Sequence, residues 1–333
     1  MAPRIPAPAR TARARAQAAF AADVRCGLLR EGPKELPSKY LYDAMGSALF
    51  EAISLLPEYG LTRADERLLR RHAGEIAALA ASPARARIGR VVELGSGTGK
   101  KARWLLEELC RRHSTSYFPI DVSRAALAAC RAELGDIPAL RITGCLGEYL
   151  DGLREAAAGR GSGERMLVLF LGSTIGNFDR AGGTRFLGDV RRIFEPGDGL
   201  LLGTDLEKPE AQLLRGYDDP LGITAAFNRN LLARINRELG ANFDLRNYEH
   251  VARYNQAERR IEMYLRAERE QTVRIPKAGF SVTLRAGETI WTESSHKYAP
   301  EEPRRMAEQC GFRQAAQWID AEWSFAETLL LAS

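Results

Sequence analysis

A glycine-rich turn constrains this chain more than any other segment. Residues 93–101 read Glu-Leu-Gly-Ser-Gly-Thr-Gly-Lys-Lys, and they follow an apolar run that ends in Val91 and Val92. Apolar residues at helical spacing begin directly afterwards, at Trp104. A strand, a glycine turn and a helix in this order open a nucleotide-binding α/β fold, because glycines let a ligand approach the backbone and the helix start offers free N–H groups.

Two acidic residues beside the turn indicate which nucleotide it holds. Glu93 lies just before the turn, and Asp121 ends the next apolar run, where its carboxylate can accept both hydroxyls of a ribose. After Gly95 and Gly97, the third glycine, Gly99, comes one position earlier than in the dinucleotide pattern. These features favour S-adenosylmethionine as the cofactor and predict an α/β fold of the class I methyltransferase (Rossmann-like) type.

Length and charge bound the remaining possibilities. A chain of 333 residues with 45% hydrophobic residues can form one large domain or two smaller ones. It has no run of about 18 apolar residues, so we expect no membrane partner. The net charge is +5, but the basic residues are scattered and form no stripe interleaved with aromatics, so we expect no nucleic-acid partner either.

The cysteines and histidines give no metal-binding pattern. The 5 cysteines are widely spaced without a C-x-x-C pair, and the 4 histidines form no H-x-x-x-H pair. We therefore expect a reduced, cytoplasmic protein without a metal site. We also expect a monomer.

The order of the predicted elements divides the chain. Residues 1–20 are rich in Ala, Pro and Arg and contain no acidic residue, which predicts a disordered tail. Strands and helices alternate from 88 to about 205, as in a parallel sheet with crossover helices. From 207 onward the pattern changes, and the run 261–265 alternates like a strand covered on one face.

These changes predict two domains. Further β-type runs at 271–275, 280–284 and 289–293 indicate an antiparallel sheet. The methyltransferase domain is expected over 62–206 and 299–333, and a substrate-binding α+β domain over 21–61 and 207–298.

The stretch from Gly172 to Phe178 follows the most apolar predicted strand. In a parallel sheet this is the edge where ligands bind, and the side chain of Asn177 can accept a hydrogen bond from an amine. A plain helix-entry loop, in which glycine and asparagine serve only left-handed geometry, is the alternative. The position after a central strand favours the functional interpretation.

Three other segments carry polar or sulfur-containing groups without a decisive pattern. Taken alone, the clusters 216–220, which includes Tyr217, and 227–230 are as well explained by turn and capping residues as by a functional role. Met263 on a strand covered on one face is typical of a core. The stretch 292–298 is typical of a solvated strand end.

From about Leu36 to its C-terminus, the chain resembles the histidine-specific Nα-methyltransferases of ergothioneine biosynthesis. The resemblance is carried by Leu41-Tyr42-Asp43 with Gly46-Ser47-x-Leu49-Phe50, Leu56-Pro57-Glu58-Tyr59 with Thr62-Arg63, 93–97, 171–178, Tyr217-Asp-Asp, 224–230, Ile261-Glu-Met263, and Thr292-Glu293-x-Ser295 with Lys297.

This resemblance implies transfer of three methyl groups from S-adenosylmethionine to the α-amine of free L-histidine, giving hercynine. It also implies roles for individual residues. The cofactor would be bound by Tyr42, Gly95, Gly97, Lys101 and Asp121. The catalytic pair Asn177 and Tyr217 would hold the amine and carboxylate of the amino acid. That end of the site would be walled by Tyr42, Phe50, Gly172 and Thr174, and the imidazole would be surrounded by Tyr59, Met263, Glu293 and Ser295.

The chemistry of a neutral imidazole agrees with that assignment, because the ring has one N–H donor and one acceptor nitrogen. Glu293 can accept from the donor and Ser295 can donate to the other nitrogen. Gly60 and Trp291 depart from the family pattern, which leaves another aromatic amino acid or a histidine derivative open as the substrate. Cys145 stands where the family commonly has an acidic residue at the adenine. A cofactor-binding regulatory pseudoenzyme is the alternative of a different class.

Overall fold

The computed structural model describes residues 7–81, 87–161 and 163–333. The α-helices are α1 (Ala7–Leu29), α2 (Ala44–Leu55), α3 (Leu61–Ala80), α4 (Arg103–Arg112), α5 (Arg124–Leu134), α6 (Tyr149–Ala157), α7 (Arg180–Arg191), α8 (Glu210–Tyr217), α9 (Ile223–Leu239) and α10 (Glu302–Glu308). The strands are β1 (Lys34–Glu35), β2 (Ile88–Leu94), β3 (Thr115–Asp121), β4 (Leu140–Ile142), β5 (Cys145–Leu146), β6 (Arg165–Phe170), β7 (Gly199–Asp205), β8 (Tyr248–Asn255), β9 (Arg260–Ala267), β10 (Gln271–Ile275), β11 (Phe280–Leu284), β12 (Thr289–His296), β13 (Phe312–Asp320) and β14 (Phe325–Ala332).

The chain forms two compact units. The first comprises the described residues up to Phe50 together with Tyr217–Tyr254 and Ile261–Ser294. The second comprises Glu51–Gly216, Asn255–Arg260 and Ser295–Ser333.

A mixed sheet forms the centre of the second unit. Its strand order is β13-β14-β7-β6-β2-β3-β4, and β5 also pairs with β3. The pairs from β7 through β6, β2 and β3 to β4 are parallel, whereas β14 is antiparallel to both β7 and β13. This order confirms the class I methyltransferase fold that the glycine turn predicts.

The point where the sheet order reverses determines where ligands can bind. From β2 the chain continues to β3 and β4 on one side, and then to β6 and β7 on the other. The turns after β2, β3 and β6 therefore meet at one sheet edge, where doubly wound folds bind their ligands. Both β6 and β7 are buried almost throughout, as expected of parallel strands covered on both faces.

The first unit contains a smaller sheet. Its order is β1-β12-β9-β8, in which β1 runs parallel to β12. A separate antiparallel hairpin joins β10 and β11, and its register places Val273 opposite Val282. The strands expected at 271–275 and 280–284 are thus confirmed.

The two units differ in their boundaries from the domains expected from the sequence. The predicted boundary after residue 61 lies after Phe50, inside α2, and the one after residue 206 lies after Gly216, inside α8. The boundary expected after residue 298 lies after Ser294. A helix that continues from one unit into the next has no composition change at the boundary, so the sequence carries no signal for it.

The expected disordered tail over 1–20 differs from the structure for residues 7–20, which belong to α1. Residues 1–6 of that tail lie outside the described residues. Alanine and arginine are strong helix formers, and Phe20, Val24 and Leu28 form one buried stripe at a spacing of four residues. The composition of residues 1–20, rich in Ala, Pro and Arg, obscures this helical pattern, so the segment resembles a tail in sequence. None of the helices in the described part of the chain is long and apolar enough to span a bilayer.

We expect Phe20→Ala to lower the free energy of unfolding by about 3 to 5 kcal/mol, because its buried ring packs on Tyr40 at a centroid distance of 4.4 Å. Chemical denaturation measures this change. The exposed Arg15→Ala in the same helix is the control. Equal effects of the two substitutions would contradict the packing of α1 on the first unit.

Candidate active site

The glycine turn after β2 adopts a left-handed backbone at three positions. The φ angles of Gly95, Gly97 and Gly99 are 73°, 52° and 69°. A Cβ on Gly99 would lie 2.6 Å from Sγ of Cys130, whereas a Cβ on Gly97 would have no atom within 4 Å. Gly99 is thus required both by close packing and by its left-handed backbone conformation. Gly97 is required by its backbone conformation alone, and the open space beside it leaves room for a ligand.

Asp121, at the end of β3, is tied to this turn. Its Oδ2 accepts from the backbone N–H of Gly97 at 3.1 Å, and its Oδ1 accepts from that of Ser123 at 2.8 Å. Burial raises the pKa of Asp121, and these backbone N–H groups oppose that change. Each carboxylate oxygen has a second lone pair, so Asp121 keeps the capacity to accept ribose hydroxyls.

Exposed apolar residues flank Asp121. Val122 is 50% exposed, and Leu146, the register partner of Asp121 on β5, is 44% exposed. Cys145, by contrast, is buried and its Sγ faces the carbonyl oxygen of Thr143 at 3.7 Å. Exposed apolar surface thus lies on both sides of Asp121, whereas Cys145 belongs to the hydrophobic core.

Lys101 is held by a residue that the sequence analysis missed. Its Nζ donates to Oδ2 of the fully buried Asp65 at 2.7 Å, and the N–H of Gly172 donates to the same oxygen at 2.9 Å. Burial alone would lower the pKa of Lys101, but the carboxylate of Asp65 and the charge of Glu93 outweigh burial and raise it. Lys101 therefore carries its positive charge at neutral pH.

The loop after β6 has a constrained backbone. Gly172 and Ser173 have φ angles of 67° and 58°, and a Cβ on Gly172 would lie 2.9 Å from Nζ of Lys101. The N–H of Asp205 donates to Oγ of Ser173 at 2.9 Å. A 3₁₀ turn from Thr174 to Asn177 follows, with Thr174 Oγ1 donating to the carbonyl of Leu171 at 2.9 Å. The loop thus presents the half-buried Asn177 from a fixed turn.

A buried charge cluster fixes the polarity of Ser295. The fully buried Lys297 donates from Nζ to Oγ of Ser295 at 2.9 Å and to Oδ2 of Asp205 at 2.8 Å. An ammonium group can only donate, so Ser295 must accept this bond, and toward any other partner its O–H can still act as a donor. Lys208 pairs with the other oxygen of Asp205, and burial lowers the pKa of Lys208 to about 8.

Glu293 lies beside an aromatic group in the first unit. The hydroxyl of Tyr42 donates to Oε1 of Glu293 at 3.4 Å. The ring of Tyr42 meets those of Phe50 and Phe227 edge-on, at centroid distances of 5.6 Å and 5.5 Å. Glu293 is 9% exposed, so its carboxylate is largely removed from water.

The backbone of Tyr217 is anchored by a buried histidine. Nε2 of His250 contacts the carbonyl oxygen of Tyr217 at 2.8 Å, and Nδ1 contacts Nδ2 of Asn228 at 2.9 Å. Because the carbonyl only accepts, the proton belongs on Nε2. Burial lowers the pKa of His250, in agreement with a neutral ring.

The polar residues around Tyr217 are therefore structural. Asp219 accepts from the N–H groups of Ile223 and Thr224 at the start of α9, and Asn230 donates to Asp43 at 2.8 Å. This agrees with the turn and capping interpretation of these clusters.

Met263 lies on β9 beside Glu293's strand. Its side chain is buried, and its carbonyl oxygen accepts from Thr292 Oγ1 at 3.0 Å. Trp291 donates from Nε1 to the carbonyl of Glu293 at 2.9 Å and stacks on Tyr264 at a centroid distance of 6.3 Å. Trp291 thus braces the strand that carries Glu293.

Gly60 is explained by a neighbouring tryptophan. A Cβ on Gly60 would lie 2.1 Å from the ring of Trp323, so the indole fills the space that a side chain at position 60 would need. Tyr59, one residue earlier, is buried. Trp323 therefore occupies the place of a side chain at position 60. The sequence gives no sign of this contact, because the two residues lie 263 positions apart.

The ten predicted substrate-binding residues are divided equally between the units. The first unit carries Tyr42, Phe50, Tyr217, Met263 and Glu293, and the second carries Tyr59, Gly172, Thr174, Asn177 and Ser295. Within the second unit, Asp65 brings the predicted cofactor residue Lys101 to Gly172. Asp65, Asp205 and Glu327 were missed by the sequence analysis. Asp205 and Glu327 lie in apolar strands, which is a signal in the sequence, whereas Asp65 lies in a polar stretch and has no such signal.

The comparisons with known proteins agree on one family. The model of the family described as histidine-specific, S-adenosylmethionine-dependent methyltransferases matches residues 20–332. A histidine N-alpha-methyltransferase of Mycolicibacterium smegmatis is 44% identical over 313 residues, covering 92% of this chain and 93% of that protein.

Two further relatives extend the match. A histidine N-alpha-methyltransferase of Mycobacterium tuberculosis is 42% identical over 309 residues, with 92% of this chain and 93% of that protein covered. Ergothioneine biosynthesis protein 1 of Neurospora crassa is 31% identical, and the match covers 87% of this chain and 32% of that longer protein. The glycine turn, the loop after β6 and these matches together place the chain in the family of histidine-specific, S-adenosylmethionine-dependent methyltransferases.

Proposed function

We propose that this amino-acid Nα-methyltransferase recognises free L-histidine mainly through Glu293 and Ser295, and handles the α-amine through Asn177 and Tyr217. Its activity as a family member is S-adenosylmethionine-dependent methylation of histidine. The observation that supports the proposal most is the opposite polarity of the two ring-binding groups. Glu293 can only accept a hydrogen bond, whereas Lys297 leaves the O–H of Ser295 as a donor.

This polarity matches one ring better than others. Imidazole has an N–H for Glu293 and an acceptor nitrogen for Ser295, while phenylalanine has neither group and tryptophan has only the donor. An analogue without the polar ring would leave the largely buried Glu293 unpaired, which strongly disfavours its binding. Tyr59 and Met263 would supply the apolar walls of the ring site. Tyr42, Phe50 and Thr174 would enclose the other end.

At the cofactor, each proposed residue has a distinct task. Lys101 would meet the carboxylate of the amino-acid part, and Asp121 the ribose hydroxyls. Gly95 and Gly97 would allow close approach of the backbone, and Tyr42 would close the site. Val122 and Leu146 would contact adenine through their exposed apolar surface, without an acidic side chain at position 145.

The reaction itself depends on positioning. In each transfer the amine lone pair attacks the methyl carbon, the S–CH3 bond breaks, and S-adenosylhomocysteine leaves. Over three transfers the substrate ammonium loses three protons. The amide oxygen of Asn177 would accept from the amine and aim its lone pair, and the hydroxyl of Tyr217 would assist there. Correct alignment of nucleophile and methyl group supplies much of the rate in such reactions.

The assembly state and the location are predictions that rest on the sequence alone. A monomer located in the cytoplasm stays a prediction, as does the transfer of all three methyl groups. Light scattering after size exclusion measures the first, and mass spectrometry of the product measures the last.

Asp121→Ala is expected to weaken S-adenosylhomocysteine binding by about 2 to 3 kcal/mol, because charge-assisted hydrogen bonds to the ribose are lost. Isothermal titration calorimetry measures the change. The exposed Asp151→Ala serves as a control for loss of one acidic residue. Tight binding of NAD by the wild type, without any response to S-adenosylhomocysteine, would refute the assignment of the glycine turn.

Glu293→Ala is expected to reduce kcat/KM for histidine by an amount equivalent to about 2 to 4 kcal/mol, since a desolvated charge-assisted contact is removed. Mass spectrometry of reactions with each amino acid separately reports activity and specificity. The control is Glu262→Ala, a buried acid on β9. If the wild type leaves histidine unmodified but methylates tryptophan or tyrosine, the histidine assignment is wrong.

Lys297→Met should raise KM for histidine while leaving the affinity for S-adenosylhomocysteine within about threefold, because the donor that orients Ser295 is lost. Lys208→Met is the matched control, since it removes the other ammonium on Asp205 but keeps the bond between Lys297 and Ser295. Steady-state kinetics and calorimetry measure both variants. An equal rise in KM for the two would show that Ser295 is not oriented in this way.

A further inference from the structure

Three carboxyl groups lie in the interior of the second unit, close to the cofactor residue Lys101. Asp65 on α3 and Glu327 on β14 are fully buried, and Glu93 at the end of β2 is 2% exposed. Buried carboxylates are costly unless hydrogen bonds or a cation compensate them. Lys101 is the cation that faces all three groups. One positive charge therefore stands against three acidic side chains.

The hydrogen bonds of this cluster are incomplete unless it holds an extra proton. Oδ2 of Asp65 accepts from Lys101 and from Gly172, and Glu93 accepts from the hydroxyl of Tyr117. In the described part of the chain, Oδ1 of Asp65 and both carboxyl oxygens of Glu327 meet no hydrogen-bond donor. A Cβ on Gly203 would lie 2.8 Å from Oε1 of Glu327 and 3.2 Å from the backbone N of Gly172, so Glu327 lies close to the N–H group that donates to Asp65. Two acceptors in this arrangement need a shared proton, as in other carboxyl pairs.

The surroundings identify Glu327 as the residue that carries this proton. Its register partners are Gly203 on β7 and Trp318 on β13, and neither of them titrates. Burial and then the charge of Asp65 raise the pKa of Glu327 well above its ordinary range, and Lys101 opposes this only partly. Oδ2 of Asp65 already accepts from two N–H donors, one of them the ammonium of Lys101, whereas neither oxygen of Glu327 has a donor within the described residues. Burial raises the pKa of Glu93 to about 7, but the Tyr117 hydroxyl satisfies Glu93 separately.

We propose that Glu327 is a positioning residue for the methyl transfer, which donates its proton to Oδ1 of Asp65 and so directs the negative charge of Asp65 to Lys101 and Gly172. One protonated and one ionised carboxyl then act as a single charged acceptor that links α3, β14, the turn after β2 and the loop after β6. Loss of the proton would place two like charges side by side and disturb Lys101 and the Gly172 turn together. The effect on the cofactor rests on the proposed role of Lys101.

Two substitutions separate the proton from the side chain's volume. Glu327→Gln is permanently neutral and keeps an N–H donor for Asp65, whereas Glu327→Leu has similar volume but no donor. We expect Glu327→Leu to weaken S-adenosylhomocysteine binding by about tenfold or more, and Glu327→Gln to restore most of that affinity. Calorimetry on the full-length protein measures both. Asp198→Asn, a buried acid before β7, is the control that should lose thermal stability but keep its affinity.

The pH dependence of thermal unfolding tests the proton directly. A carboxyl group with a raised pKa contributes its full stability below its unfolded pKa, near 4.3, and this contribution is lost progressively as the pH rises toward the folded pKa. Glutamine at 327 has no such loss. The Tm of Glu327→Gln relative to the wild type should therefore increase between about pH 5 and about pH 8. Glu93 titrates in both proteins, so its contribution cancels in the difference.

The possible results test the shared proton, the positioning role of Glu327 and the cofactor role of Lys101 separately. A constant Tm difference between Glu327→Gln and the wild type over this range would overturn the shared proton. Wild-type affinity in Glu327→Leu would overturn its positioning role, and if that variant does not fold, the pH series still decides. Unchanged affinity in Lys101→Met would refute the proposed cofactor role of Lys101 while leaving the carboxyl pair intact. An absence of S-adenosylhomocysteine binding by the wild type would instead contradict the function itself.

Discussion

The chemistry of the second unit depends on the parallel order of β2, β3 and β6. Because parallel strands end at one edge, the glycine turn, Asp121 and the loop from Gly172 to Asn177 are brought together, although Gly95 and Asn177 lie 82 positions apart in the sequence. The left-handed glycines allow a ligand near the backbone at that edge. Helix and loop residues that hold the edge in place, such as Asp65, then become as important as the residues that touch ligand.

Buried charges hold this arrangement at considerable cost. Asp65 with Lys101, and Asp205 with Lys297 and Lys208, are largely removed from water, and the ion pairs between them offset part of the cost of burying these charges. Buried ion pairs of this kind fix the positions of the side chains and loops that they bind more than they add to the free energy of unfolding. In the first cluster, Asp65 fixes the positions of Lys101 and of the loop at Gly172. In the second cluster, Lys297 donates to Ser295 and so determines that Ser295 accepts this bond.

The regular elements followed from the sequence where periodicity was strong. The strands at 271–275 and 280–284 and the apolar β6 have clear patterns, and hydrophobic burial enforces those patterns directly. The helix α1 was missed because the buried residues Phe20, Val24 and Leu28 follow a stretch rich in Ala, Pro and Arg that resembles a disordered tail. The compact units end after Phe50, Gly216 and Ser294, inside α2, α8 and β12, and so differ from the domains expected from the sequence. Contacts with distant segments decide which unit a residue joins, and local composition does not change at these points.

The sequence by itself determined the fold class, the glycine turn and the types of residue predicted to bind an amino-acid substrate. Glycine spacing, strand ends and family motifs can all be read from short stretches of the chain. Only the tertiary structure decided what those residues can do. Lys297 donates to Ser295, so the hydroxyl of Ser295 can serve as a donor toward another group. The ring of Trp323 fills the space that a side chain at position 60 would need. In our proposal, Glu327 supplies the proton that Oδ1 of Asp65 lacks, although the two residues lie 262 positions apart. Hydrogen-bond polarity and proton sharing depend on which side chains meet, and folding alone brings such distant partners into contact.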